Sequence, residues 1–367
     1  MSKQTPLYIW HRSHGAKIAP FAGWDMPVQY HTGSIQEHHL VRRAVGAFDI
    51  SHMGRIHCTG PEAADALQAV LTADIHALAD GMSSYALLCR EDGTIIDDVF
   101  VYRCDNEYLV VGNASNHERD LAWFQRQMAG YSTTITDRTA STAGIALQGP
   151  HAARLLDSLC DGAASSLQRF GCRELSVHGV PMLVGRTGYT GEDGFELFPP
   201  SAHAEAVWDA CFAVAANEQI DFGPCGLAAR DSLRFEAGFH LYGHELDDTT
   251  NPVEARLKWA CALGTEFTGR AAIESAMNNR TTRVLVTFVL TEKAVPRQGY
   301  DVLDSRGHVI GVVTSGMFAP TVEEYAGNAY VMSEHAKPGT EIRIDVRGQQ
   351  KAARVVKRPL YTPSYRG

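Results

Sequence analysis

Most of the sequence signatures that identify catalytic families are missing from this chain. It has no G-x-S-x-G nucleophile elbow, no Walker phosphate loop and no G-x-G-x-x-G after a predicted strand. None of its eight cysteines stands in a C-x-x-C pair or at metal-ligand spacing, which favours free thiols in a reducing compartment. The adjacent His38 and His39 would point in different directions on a helix and have no third ligand, so no metal site is predicted.

The chain also lacks an excess of basic charge and any long apolar run. A net charge of −9 argues against nucleic acid as a main partner, because nucleic-acid-binding surfaces are basic. No run is long enough to span a membrane, and the first residues lack the apolar core of a signal peptide. We therefore expect a cytoplasmic protein without a membrane partner. Its 367 residues predict two or three domains.

A glycine-rich stretch occupies residues 186–198 in the middle of the chain. Its three glycines, spaced three apart, disfavour both helix and flat strand and predict a tight turn. Between the glycines lie an aromatic hydroxyl, Tyr189, and two carboxylates, and a third carboxylate, Glu196, follows the last glycine. Such a density of hydrogen-bonding groups on a constrained backbone is typical of a ligand site, although a plain turn between two strands would have the same spacing.

A β-meander is predicted over residues 85–113, because the Asp-Gly pair at 92–93 separates two apolar runs. Side-chain alternation in its middle strand places Asp97 on the face of Ile95, and Asp98 on the face of Ile96. Neither face is clearly polar. At least one of the two acids should therefore have a specific hydrogen-bonding partner, unless it lies at a strand end or a bulge.

Two further segments bear on function and fold. Arg230 and Arg234 share one face of a short helix among small apolar neighbours, and an inward arginine there needs Asp231, Glu196 or a ligand carboxylate as its partner. A polar loop is predicted to run into a helix over 251–259. After about residue 280, short strands between turn residues predict an all-β barrel or sandwich. The carboxylates of the glycine-rich stretch and the meander, together with the two arginines, would suit a ligand with a neutral nitrogen heterocycle and an anionic tail. The carboxylates would accept ring N–H bonds, and an arginine would bind the tail.

The same residues resemble the glycine cleavage system T-protein family, the tetrahydrofolate-dependent aminomethyltransferases. The resemblance extends from Thr5 to Tyr361. Its most specific motifs are Phe48–Met53, Gly93–Asp98, Gly188–Glu196, Ala229–Arg234, Leu241–Glu245 and Val313–Gly316. It implies an α+β fold, a three-domain cloverleaf around a central folate-binding hole with a C-terminal all-β barrel. The implied domains are 1–50 plus 140–275 as a discontinuous central folate-binding unit, 51–139 as a ferredoxin-like unit, and 280–367 as the barrel.

The resemblance further implies an enzyme of one-carbon metabolism and glycine catabolism. A lipoylated carrier, H-protein, would deliver an aminomethyl group whose methylene passes to tetrahydrofolate, with release of ammonia and formation of 5,10-methylenetetrahydrofolate. Asp97 is the implied catalytic residue. The implied folate-binding residues, all matched motif by motif, are Met53, Tyr85, Asp97, Asn113, Tyr189, Glu196 and Arg230.

Three alternatives stay open at this point. The first keeps folate but replaces the carrier with a small methylated amine or sulfonium donor, which would make the protein a demethylase or methyltransferase. The second is a non-transferase folate-binding protein of the iron–sulfur assembly kind, whose Lys-Gly-Cys-Tyr-x-Gly-Gln-Glu motif is absent here. The third is the accessory domain of a folate-dependent oxidoreductase, although no flavin-binding unit is attached to this sequence. The sequence also leaves open whether Asp97 or Asp98 faces the ligand.

Overall fold

Strands dominate the computed structural model, which describes residues 2–363. The strands are β1 (Lys3–Gln4), β2 (Lys17–Phe21), β3 (Trp24–Gln29), β4 (Val45–Asp49), β5 (Gly54–Thr59), β6 (Met82–Cys89), β7 (Ile95–Cys104), β8 (Glu107–Gly112), β9 (Thr134–Asp137), β10 (Ile145–Gln148), β11 (Cys172–Val177), β12 (Val180–Gly185), β13 (Gly194–Phe198), β14 (Phe222–Pro224), β15 (Arg283–Leu290), β16 (Asp301–Leu303), β17 (Val309–Ala319), β18 (Glu324–Met332), β19 (Glu341–Val346) and β20 (Gln349–Val356). The helices are α1 (Tyr8–Ser13), α2 (Ser34–Arg43), α3 (Ala63–Val70), α4 (His117–Gln127), α5 (Ala152–Asp157), α6 (Ala204–Asn217), α7 (Leu227–Glu236) and α8 (Arg270–Asn278).

A six-stranded sheet joins the start of the chain to its middle, in the order β11-β12-β13-β10-β4-β14. Every residue of β4, β10 and β13 is buried, because helices cover the sheet on both sides. Phe195 and Leu197 of β13 pack with Trp208 of α6 in the larger core. Alternation turns Glu196, between them, to the opposite face, where Leu233 of α7 packs.

A five-stranded sheet lies within residues 54–137, in the order β6-β7-β8-β5-β9. The strands β7, β8, β5 and β9 have the order of a ferredoxin-like unit, and β6 is added at the edge. Helices α3 and α4 pack on one face through Leu67 and Phe124. The β6-β7-β8 meander agrees with the sequence analysis. The division of the whole chain into three domains stays a prediction, although the strands pair within the expected ranges.

A bulge in β7 changes the predicted alternation at one point. Leu88 pairs with Asp97, whereas Cys89 pairs with Ile95. Ile96, which lies between the two β7 residues, is therefore the extra residue of the bulge. As a result Ile96 joins the core beneath the helices, and Ile95 packs on the other side of the sheet. The predictions that Asp97 shares a face with Ile95 and Asp98 one with Ile96 were therefore wrong, because alternation holds only in an unbroken ladder.

The C-terminal part forms a closed barrel in the order β15-β18-β17-β16-β19-β20. Its interior is filled by aliphatic side chains and Phe288. The barrel, together with the mixed helices and sheets before it, confirms the predicted α+β fold class and resolves the choice between barrel and sandwich.

One further local prediction was wrong. The segment 251–259 forms turns that end in a short 3-10 helix, Lys258–Ala260. The Asn251 side chain accepts hydrogen bonds from the backbone N–H groups of Val253 and Glu254, as a helix N-cap does, but Arg256 has a φ of 59°, which interrupts the chain before an α-helix can form.

The remaining expectations concern thiols, membranes and metals. All eight cysteines are free, as the sequence analysis expected. Within residues 2–363, no helix has the length and apolar character needed to cross a bilayer. In the same part of the chain, no three His, Cys, Asp or Glu side chains are grouped as metal ligands.

Candidate active site

A cavity of about 1260 Å³ opens between the two large sheets, and its volume suits a ligand larger than most drug molecules. Helix α7, the glycine-rich stretch and the segment 239–244 complete its walls. Six of the seven implied folate-binding residues line it: Met53, Tyr85, Asn113, Tyr189, Glu196 and Arg230. Asp97 is not among the lining residues, whereas Asp98 is.

The two aspartates of β7 lie on opposite sides of the sheet. Asp98 faces the cavity, where its Oδ2 accepts a hydrogen bond from the Tyr85 hydroxyl (3.1 Å) and its Oδ1 one from the Asn113 amide (2.8 Å). Asp97 is fully buried on the helix-covered face, and its Oδ2 accepts a hydrogen bond from the Asn113 backbone N–H (3.0 Å). The sequence alone leaves open which acid meets a ligand, and this arrangement favours Asp98.

The environment of Asp98 makes it a candidate proton acceptor. Withdrawal from water and then the neighbouring charge of Asp97 raise its pKa to about 7, although the Tyr85 and Asn113 hydrogen bonds act in the opposite direction. A carboxyl group with a pKa near neutral pH can both accept and return a proton during a reaction. Such tuning of a cavity-lining acid is typical of active sites.

Arg230 is a cation in the cavity wall that has no carboxylate partner among residues 2–363. Its guanidinium lies 4.8 Å from the centre of the Tyr189 ring, and its Nη2 is 3.6 Å from the Met53 sulfur. Its Nη1 is inaccessible to water and has no hydrogen-bond partner. Burial lowers the pKa of Arg230, while the nearby Glu196 acts in the opposite direction. A bound ligand with an acceptor group would satisfy Nη1.

Arg234, the second arginine of α7, has its partners within the protein. Its Nη1 donates to Glu245 at 2.7 Å and its Nε to Asp231 at 2.9 Å, and it is almost fully buried. Glu245, the last residue of the Leu241–Glu245 motif, was not among the partners predicted for this arginine, whereas Asp231 was. Of the two arginines, Arg230 is therefore the one available to a ligand.

Glu196 and Tyr189 are held by neighbours on the cavity wall. The Oε2 of Glu196 accepts hydrogen bonds from Tyr102 (2.6 Å) and Thr187 (2.7 Å). The Tyr189 hydroxyl donates to the backbone oxygen of His240, so its contact with a ligand would come from the ring. Fixed side chains of this kind cost little further entropy when a ligand binds.

The glycine-rich stretch is fixed from behind by Arg42 of α2. Its Nη1 donates to the Thr190 carbonyl (2.8 Å) and to Glu192 (2.9 Å), and its Nη2 donates to Glu236 of α7 (3.0 Å). Gly191 has a φ of +89°, which a side chain would strain. The predicted turn thus has a rigid backbone that joins one wall of the cavity to α7.

Sequence reasoning missed two cavity residues. His52 is buried at the wall, and burial together with the charge of Arg230 lowers its pKa to about 3, so its imidazole is neutral. Arg358 follows the barrel, donates to the Gly238 carbonyl and lines the cavity beside His240. Both residues lie in stretches that carried the family resemblance, but no spacing rule distinguishes them from their neighbours.

Comparisons with known proteins cover nearly the whole chain. The family model for the GCVT N-terminal domain matches residues 7–265, and that for the glycine cleavage T-protein C-terminal barrel domain matches residues 283–362. A curated aminomethyltransferase of Symbiobacterium thermophilum is 45% identical over 373 residues, covering 99% of this chain and 98% of that protein. One of Herpetosiphon aurantiacus is 44% identical over 366 residues, covering 99% of each. The crystal structure of glycine cleavage system aminomethyltransferase T from Bartonella henselae superposes with a TM-score of 0.93 at 33% identity, covering 99% of both chains.

Proposed function

This chain belongs to the glycine cleavage T-protein family of aminomethyltransferases, and from that membership we propose that its cavity binds tetrahydrofolate and that Asp98 is its catalytic carboxylate. The protein is a transferase of glycine cleavage, and the comparisons favour this activity over the demethylase alternative. Folate chemistry is a general property of this family. The particular folate, the contacts to it and the role of each residue are what we propose.

The cavity residues fit a folate in charge and shape. The unpartnered Nη1 of Arg230 needs an acceptor, which a ring nitrogen, a carbonyl or a carboxylate of the ligand would supply. Glu196 on one wall and Asp98 on the other can accept N–H bonds from a pterin ring. The Tyr189 ring offers the ligand a flat surface, and the Met53 side chain offers it a polarizable one.

Asp98 would accept and return a proton during the transfer. Transfer forms two bonds from the methylene carbon to folate nitrogens and breaks the bonds of that carbon to the amino group and to the carrier sulfur; the two protons that the folate nitrogens lose leave with ammonia and the carrier thiol. With a pKa near 7, an ionised Asp98 would stabilise the cationic character that develops as ammonia departs, and would then take a proton from a folate nitrogen and pass it to the carrier sulfur. Tyr85 and Asn113 hold the carboxylate in place, so little reorganisation is needed.

The resemblance implied that Asp97 is the catalytic residue. The geometry instead supports a catalytic role for Asp98 and a different role for Asp97. Asp97 is separated from the cavity, so it acts through Asn113, to which it is hydrogen-bonded at both the backbone and the side chain. We therefore assign Asp97 a positioning role. The observation that carries this assignment is that Asp98, and not Asp97, lines the cavity.

The partners and the compartment follow from the same membership. We propose a lipoylated H-protein as the carrier, because aminomethyl transfer in glycine cleavage requires a donor that brings the group to the folate. The approach of a swinging lipoyl arm into the cavity would supply a large proximity effect. Eight free thiols, seven of them buried, support a reducing compartment, and we propose the cytoplasm.

The test is ammonia release from aminomethylated H-protein, with and without tetrahydrofolate. We expect Asp98→Asn to reduce the folate-dependent rate by about 10²- to 10⁴-fold, the usual contribution of a general base, with little change in folate affinity. Asp105→Asn, in the exposed turn between β7 and β8, is the matched control and should behave as wild type. Wild-type turnover by the Asp98→Asn variant would remove this residue from the mechanism.

A further inference from the structure

Behind Asp98, outside the cavity lining, the carboxyl group of Asp120 meets that of Asp97. Asp120 on α4 is 2% exposed, and neither of its carboxylate oxygens receives a hydrogen bond from a donor within residues 2–363. A Cβ placed on Gly112 would lie 3.2 Å from Asp120 Oδ2 and 3.3 Å from Asp97 Oδ2. Both oxygens thus lie against Gly112, and the two carboxyl groups are within hydrogen-bonding reach of each other.

Neighbouring cations do not neutralise this contact. Arg119, next to Asp120 on α4, directs its Nη1 to Asp248 and its Nη2 to the carbonyl oxygen of Ile96. Two ionised carboxylates in contact and away from water would repel each other strongly. One proton held between them converts the contact into a charge-assisted hydrogen bond.

We infer that Asp97 and Asp120 share a single proton and that Asp120 is thereby a positioning residue for Asp98. This inference rests on the proposed role of Asp98. The link runs through Asn113, whose side-chain amide donates one hydrogen bond to Asp97 Oδ1 and one to Asp98 Oδ1, each at 2.8 Å. Asn116 also donates to Asp97 Oδ1 at 2.6 Å. The proton between the two acids gives Asp97 one more hydrogen bond, besides those from Asn113 and Asn116. Asp97 is thereby held in place, and it in turn anchors Asn113.

The shared proton also sets the charge that Asp98 experiences. Burial, and then the charge of Asp97, raise the pKa of Asp120 to about 10, so a proton stays in the pair at neutral pH. The pair then carries one negative charge, which contributes to the raised pKa of Asp98. The other charged or titratable groups that face these acids are Arg119 on α4 and Tyr85 on β6.

Infrared spectroscopy tests for the proton directly on the full-length protein. At about pH 9, about two units above the pKa of Asp98, that residue is ionised. We expect the difference spectrum between wild type and Asp120→Asn to show loss of one protonated-carboxyl stretching band. A wild type with no such band, or a band that persists in the variant, would overturn the shared proton.

Steady-state kinetics tests the positioning role. In the Asp120→Asn variant the new side-chain amide can donate to Asp97 as the protonated acid does, and the pair keeps one negative charge. We therefore expect this variant to keep kcat/KM within about threefold of wild type and the acid limb of its pH profile unmoved, whereas Asp120→Ala loses about tenfold. A limb that moves to lower pH in Asp120→Asn would show that the wild-type pair holds two charges, and equal rates for the two variants would exclude the positioning role.

The two experiments separate this inference from the proposed function. If Asp98→Asn turned over normally, the assignment of Asp98 would fail while the infrared result on Asp97 and Asp120 would still stand. If the band were absent but Asp98→Asn were inactive, the shared proton would be refuted and Asp98 would keep its role.

Discussion

The buried ion pair between Arg234 and Glu245 connects α7 to the barrel. Glu245 Oε2 accepts from Arg234 Nη1 at 2.7 Å, and its Oε1 accepts from Thr314 of β17 at 2.8 Å and from Asn328 of β18 at 3.3 Å. Both partners of the pair are almost fully buried. We predict that Glu245→Gln destabilises the protein strongly, because it leaves the Arg234 guanidinium buried without its main counter-ion.

The magnitude follows from the pKa of Glu245. Burial opposes ionisation, but the charge of Arg234 and the hydrogen bonds from Ser315 and Thr314 outweigh it and lower the pKa from 4.5 to about 2. Lowering the pKa of Glu245 from 4.5 to about 2 corresponds to about 3 kcal/mol of folding free energy. Because the folded-state pKa is lowered, this contribution is complete above about pH 4.5 and is lost as the pH falls towards 2. Mutational breaking of buried pairs costs about 3 to 5 kcal/mol, which agrees.

Urea unfolding near neutral pH is the appropriate assay for this variant. We expect a loss of about 3 kcal/mol for Glu245→Gln, and a weaker decrease of stability between about pH 4.5 and 2 than in wild type. Glu254→Gln is the matched control, since its pair with Arg283 is partly exposed and should contribute at most about 1 kcal/mol. Similar losses in the two variants would refute the conclusion that the buried pair attaches the barrel.

Three further predictions concern the cavity. The kcat/KM of transfer should increase with pH through about 7, because the raised pKa of Asp98 leaves it protonated and inactive as a base below that value; a profile flat from about pH 6 to 8 would contradict this. Arg230→Met should weaken folate binding by about tenfold or more in a calorimetric titration while leaving the melting temperature unchanged or raised, since it removes an unpartnered buried cation; unchanged affinity would exclude a ligand contact. Gly191→Ala should cost about 1 to 3 kcal/mol in urea unfolding, because its φ is +89° and its new Cβ would lie 2.8 Å from the Cβ of Ala237; wild-type stability would show that the turn relaxes freely.

Local patterns in the sequence predicted most of the elements. The Asp-Gly pair at 92–93 predicted the β6-β7 hairpin, and Gly93 indeed has a φ of +80°. The glycines of the stretch 186–198 predicted a tight turn, and Gly191 has a φ of +89°. These predictions succeeded because turn chemistry is decided by residues a few positions apart.

The arrangement of the candidate site could be predicted less well from the sequence, because it depends on contacts between distant segments. A single extra residue in β7 decides which side Ile95 and Ile96 face, and nothing in the local sequence marks that bulge. Asp120 gains its importance only where α4 packs over Gly112, and Arg358 only where the segment after the barrel returns to α7. Periodicity cannot predict such partners, since each segment satisfies its own pattern without them.

The position of Arg358 in the cavity wall has a consequence for biosynthesis. Helix α7 and both large sheets can form from chain made earlier, but Arg358 follows β20 and is translated after every other wall of the cavity. Domains fold in the order in which they leave the ribosome. The nascent chain therefore passes through a stage with folded sheets and an unfinished site, and the mature ligand pocket is assembled only when the barrel docks.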